Sequence, residues 1–104
     1  MLFRSYLGAK ILNRQGRRQE AVAVMRQAPI FEEIAQFPAL AREAAYFYCG
    51  LLAQSHEPVP PQLLALIPDD FRTMDEHSHF VGKSDLLGII NGKQSGGMKA
   101  APQQ

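Results

Sequence analysis

From Ala39 to about Ser55 the chain reads ALAREAAYFYCGLLAQS, apolar around much of a helical circumference. Leu40, Ala41, Ala44, Ala45, Phe47, Tyr48, Leu51 and Leu52 leave little room for a polar face. A helix of that kind needs neighbours on several sides, so it is expected to be the central, most buried element. Pro38 suits its first turn, where a missing N–H costs nothing. Gly50 inside it costs about 1 kcal/mol relative to alanine. The expected offset is close approach by a neighbouring helix. At 104 residues the chain makes one ordinary domain with a modest core around this helix.

Short apolar segments flank that run, each bounded by glycine or proline. Leu2, Phe3, Tyr6, Leu7 and Ile11 fall at helical spacing. Gly16 interrupts the pattern; Ala21, Val22, Val24, Met25 and Ala28 resume it, and Pro29 ends it. The two halves form an antiparallel helical hairpin with a tight polar corner. Ile30, Ile34 and Phe37 suggest a short helix or helical turn. HEPVPP is a rigid connector, after which Pro60 and Pro61 start a shorter helix, QLLALI, that ends before Pro68. Phe71, Met74 and Phe80 are candidate core contacts, and SDLLGII reads as a last helix capped by Ser84. No strand alternation runs long enough to support a sheet. The fold class expected is all-α, as antiparallel helical hairpins or a small bundle. Residues 1–80 make the hairpin domain, and 81–104 a short helix and a flexible tail from residue 91.

Charge is unevenly placed. The formal net charge is +1, so bulk charge selects no polyanionic partner. Residues 1–29 nevertheless carry six basic side chains against Glu20, whereas residues 30–80 carry eight acids against two arginines. Such a chain can dock end to side with a copy of itself, so a homodimer is expected. The single cysteine, Cys49, allows no internal disulfide and reads as a small buried hydrophobe. These features fit an intracellular, cytoplasmic protein. The basic, acid-free segment before Glu20 also has the character of a mitochondrial presequence. No run is long enough for a membrane span.

Ala9, Leu12, Gly16, Ala21, Met25 and Ala28 carry the most specific spacing. Small residues at 9, 21 and 28 let two helices approach, and large ones at 12 and 25 fill the space towards the next hairpin. This order resembles the tetratricopeptide repeat over residues 2–29. Ser5 stands where the repeat has an aromatic, Pro29 comes early, and PVPP widens the next corner. One fair unit and one irregular one imply a divergent mini-scaffold or a piece that stacks on a partner. The resemblance implies that Phe3, Tyr6, Lys10 and Asn13 face a peptide or helix of another protein. That would make the chain an adaptor, a chaperone-like factor or a small subunit of an assembly.

A rival reading uses the basic corner. Arg14, Arg17, Arg18 and Arg26 could meet nucleic-acid phosphates, but the alanine- and valine-rich second helix has few side chains able to read bases. Asp75, Glu76, His77 and His79 tempt as metal ligands; with only His56 beyond them, no zinc set is completed and a polar loop is expected. No nucleophile is paired with a base and no phosphate loop is present, so neither catalysis nor a cofactor is expected.

Overall fold

The computed structural model describes residues 1–74 and 78–94. It contains helices α1 (Leu2–Arg14), α2 (Arg18–Arg26), α3 (Ile30–Glu33), α4 (Pro38–Gln54) and α5 (Pro61–Leu64), then strands β1 (Arg72–Met74) and β2 (Phe80–Gly82), and finally α6 (Lys83–Gln94). The chain is mostly helical, and α4 is its hub: α1, α2, α3, α5 and α6 all pack on it. Ala41, Ala44, Ala45 and Cys49 are fully buried, and Leu51, Leu52 and Ala53 nearly so. Leu2, Met25, Ile67, Leu86 and Val22 supply the bulky fill around that small-residue stripe.

Each helix stops for a local reason. Gly16 sits in the left-handed region at φ 79°, where a Cβ is disfavoured. Its N–H donates to the Asn13 carbonyl and that of Arg17 to Leu12, the paired bonds of a Schellman cap. The same pair closes α4: His56 donates to Ala53 and Glu57 to Leu52. Here His56 takes the left-handed position, at φ 59°. The α1 N-terminus has no local side-chain cap; instead the Leu2 N–H donates to Glu33 Oε1 at 3.3 Å. That carboxylate joins α3 to α1 and lies at the positive end of the helix dipole. Pro38 occupies the first turn of α4 and Pro61 that of α5.

The basic corner is a set of fasteners. Arg18 Nη1 donates to the Gln54 carbonyl at 2.8 Å, a cation at the C-terminal end of α4. Arg26 pairs with Glu57 at 3.0 Å, and Arg17 with Glu20 at 2.6 Å. Exposed pairs of this kind contribute little individually, because water and salt screen them. Two of them still tie α2 to the far end of α4.

The structure departs from the sequence reading in five places. A two-stranded antiparallel ribbon interrupts the helices, with Arg72 opposite Gly82 and Met74 opposite Phe80. Three-residue strands are too short to show alternation, so the ribbon left no periodic trace. Met74 and Phe80, expected in the core, are exposed; they form the rung of that ribbon at the end away from Gly82, which Tyr46 bonds to α4. Gly50 meets no neighbour: a Cβ there would find nothing within 4 Å. The close approach occurs at Gly82, where a Cβ would lie 2.8 Å from the Phe71 carbonyl oxygen. Ser84 does not cap α6; Asp85 Oδ2 accepts from the Gly82 N–H at 2.8 Å, the reciprocal arm of a capping box. The expected tail loses its first residues to α6, which runs to Gln94; residues 95–104 lie outside the described residues.

The two Schellman caps give opposite predictions. Gly16→Ala places a side chain in the left-handed region and should lower stability by about 1 kcal/mol. His56→Gly relieves the same strain at the end of α4 and should raise stability by about 0.5–1 kcal/mol. Thermal melts of the two variants beside the parent read both signs.

Candidate functional site

A groove of about 430 Å³ opens between α1, α4, the β-ribbon and α6. Tyr6, Lys10, Asn13 and Arg14 form its α1 wall, and Met74, Val81, Leu86 and Ile89 the opposite wall. Phe47, Gly50 and Leu51 of α4 lie between. Gly50 leaves bare backbone midway along α4, where a Cβ would meet nothing within 4 Å. The ribbon then holds the far wall in place. Tyr46 Oη donates to the Gly82 carbonyl at 2.9 Å, and the Tyr46 ring lies 5.4 Å from that of Phe71. Gly82 therefore links β2, α4 and the start of α6 through one buried backbone position.

The α1 wall is ordered by α4. Tyr6 is buried, its ring edge-on to Phe47 at 5.6 Å between centroids. Its hydroxyl donates to Glu43 Oε2 at 2.9 Å. Burial, then the hydrogen bond to Glu43 and its negative charge, drive the Tyr6 phenol well above its ordinary pKa. It is a fixed neutral donor. The Lys10 ammonium lies 5.0 Å from the centre of the same ring, a cation–π contact. The groove thus has an apolar floor and a cationic rim at Lys10 and Arg14, while its nearest carboxylate is already bonded to Tyr6.

The four residues expected to meet a partner divide. Tyr6, Lys10 and Asn13 all line the groove. Phe3 does not: it stands on the outer surface of α1, 55% exposed, because the helix turns residue 3 away from the side that carries Leu2 and Tyr6. Sequence reasoning missed Glu43, Gly50 and Gln54 of α4, Thr73 and Val81 of the ribbon, and Leu86 and Ile89 of α6. Only Gly50 carried a signal, a helix-weakening residue, and it was read as the mark of a close helix approach, whereas it borders open space.

Of the four corner arginines, Arg17, Arg18 and Arg26 bond to Glu20, Gln54 and Glu57. Arg14 is the one that lines the groove. Asp75, Glu76 and His77 lie outside the described residues, and His79 is exposed beside β2. Among the described residues, no helix is long and apolar enough to cross a membrane.

Neither protein-family models, curated proteins nor solved structures yield a match to this chain.

Two buried acids beside the groove make stability depend on alkali. Burial pushes the Cys49 thiol up to about 12 from 9.0, only partly countered by Lys83, and the Tyr6 phenol also rises. Both are held protonated in the fold, while the unfolded chain releases these protons near their ordinary values. Stability is therefore intact at neutral pH and should decline above pH 9, by about 1.4 kcal/mol per pH unit for each group in its window. Urea titrations at increasing pH should show that decline, and Cys49→Ala should make it shallower. In the native protein Cys49 should resist iodoacetamide at neutral pH.

Proposed function

We propose that this chain is a protein-interaction module that receives a segment of another protein in the groove between α1, α4, the β-ribbon and α6. The observation that carries the reading is the groove itself. Its volume, about 430 Å³, lies within the range of ordinary ligand sites, and it combines aromatic and aliphatic lining with a few directed polar groups. Three of the four residues that the tetratricopeptide resemblance implies for partner contact stand on its wall. The resemblance itself rests on residues 2–29. Ala9, Ala21 and Met25 are buried there, Leu12 and Ala28 half-buried, and Gly16 forms the turn.

The lining defines what would bind. Phe47, Leu51, Leu86 and Ile89 favour apolar anchors, which gain by leaving water. Lys10 and Arg14 favour a carboxylate beside those anchors, and Asn13 and Gln54 offer amides to a peptide backbone. An acidic amphipathic helix or extended peptide has this chemistry. Adaptor, chaperone-like factor and assembly subunit are all roles in which such a segment is held. A second copy of the chain is a further partner of this kind, through the acidic stretch of residues 30–80. The nucleic-acid reading draws less support, since three of its four arginines already hold protein carbonyls or carboxylates.

Gly50 supplies the test. Gly50→Ala should fold and gain about 1 kcal/mol, because the added methyl meets nothing. Gly50→Phe should fill the groove without displacing backbone. Random peptides displayed against the parent protein should enrich for two or three apolar anchors with an acidic neighbour. Such peptides should bind Gly50→Phe at least about tenfold more weakly in fluorescence anisotropy. Enrichment of nothing, or peptides indifferent to Gly50→Phe, would overturn the proposal.

A further inference from the structure

The outer surface of α1 carries a feature the groove does not use. Phe3, Leu7 and Ile11 are 55%, 47% and 48% exposed although each is large and apolar. They are spaced at i, i+4 and i+8, so they form one row about 12 Å long within an arc of about 80°. The centre of the row lies about 130° around α1 from the buried Leu2, Tyr6 and Ala9. By the same geometry Arg4 falls on one flank and Lys10 on the other, while Arg14 continues the line of the row at its C-terminal end. No acid occurs anywhere in α1. The helix is thus apolar on both sides: one side is consumed by the core, and the other is a projecting ridge edged by cations.

We infer that this ridge docks on an anionic lipid surface, with Phe3, Leu7 and Ile11 entering the headgroup boundary and Arg4, Lys10 and Arg14 meeting lipid phosphates and carboxylates. Charge selects the occupant first. Three cations with no acid among them fit a negatively charged surface, and the long stems of arginine and lysine let charged heads reach headgroups while their methylenes stay with the apolar row. A second copy pairing through the same face would set six cations against one another at close range. Shape selects next. A ridge on a convex helix seats on another protein only where that protein supplies a matching groove, whereas a bilayer interface deforms around it. Amphipathic surface helices bind membranes by this combination of buried apolar area and attraction to anionic lipid. The contact is peripheral, since α1 is held by the core through its other side and spans nothing. Its apolar row, Phe3, Leu7 and Ile11, lies outside the groove, and only Lys10 and Arg14 border both.

The chain contains no tryptophan, so Leu7→Trp gives a clean reporter at the middle of the ridge. The full chain carrying it is titrated with vesicles of phosphatidylcholine mixed with phosphatidylserine, and with phosphatidylcholine alone. Emission should shift to the blue with the anionic vesicles, and the protein should sediment with them. Arg4→Gln and Arg14→Gln should each weaken partitioning about fivefold. Phe3→Ser with Ile11→Ser should weaken it at least about tenfold. Melting temperatures should stay near the parent's, since all four side chains are exposed, which separates lost binding from lost folding. An unshifted reporter, equal shifts on both vesicles, or binding that survives the serine pair would overturn the inference. So would a concentration-dependent shift without lipid accompanied by a doubled mass in sedimentation, which would make the ridge a homodimer face. A shift produced only by an amphipathic leucine–glutamate peptide would assign the ridge to a protein partner and equally overturn it.

Discussion

The structure depends on how closely its elements can approach α4. Ala41, Ala44, Ala45, Cys49 and Ala53 present small side chains to their neighbours, and none is more than slightly accessible. Small residues shorten the distance between packed helices, so five other elements fit around one seventeen-residue helix. The consequence is a core with little volume for rings. Leu2, Met25, Ile67 and Leu86 fill what remains, and most of the aromatic side chains are pushed to its margin or beyond it. Phe47, Tyr48 and Phe71 stay half-buried, whereas Phe3, Phe31 and Phe37 are about half exposed. The exposed apolar surface follows from the choice of alanine at the centre.

The helical part of this arrangement was legible because its cause is local. Helical spacing of the apolar residues, Gly16 and the prolines set the boundaries of α1, α2 and α4 to within a few residues, and the burial of α4 followed from its composition. The ribbon was not legible. Arg72–Met74 and Phe80–Gly82 are held by tertiary bonds, chiefly through Gly82 and Tyr46, and carry no periodicity of their own. The cap at His56 was hidden for a related reason: a histidine in the left-handed position reads as an ordinary polar residue until its neighbours' bonds are seen. The basic corner shows the complementary failure. Arg18 and Arg26 were visible as charges, but their acceptors, Gln54 and Glu57, stand some thirty residues away in the chain.

The candidate site was half legible on the same principle. The tetratricopeptide resemblance implied a shared surface for Tyr6, Lys10 and Asn13, and all three line the groove. Their counterpart could not be inferred, because it is assembled from α4, the ribbon and α6. Phe3 was grouped with them by the same resemblance. On a helix, however, residues 3 and 6 are some sixty degrees apart, and that difference separates the groove wall from the outer ridge.

That separation also explains why α1 can serve two surfaces. A helix packed along one side, chiefly on α2 and to a lesser extent on α4, keeps much of its circumference in solvent. Here that remainder is neither uniformly polar nor randomly apolar. Towards α6 it offers an ordered aromatic ring, Tyr6, under a lysine; outward it offers an aliphatic and aromatic row without a single carboxylate. Dispersed apolar residues on a surface need no explanation, but three in register along one helix, edged by like charges, form a defined patch. Lys10 and Arg14 stand where the two regions meet, and each adds positive potential to both. An anionic occupant on either surface would screen the repulsion between these cations, so occupation of one should weaken the pull that Lys10 and Arg14 exert on the other.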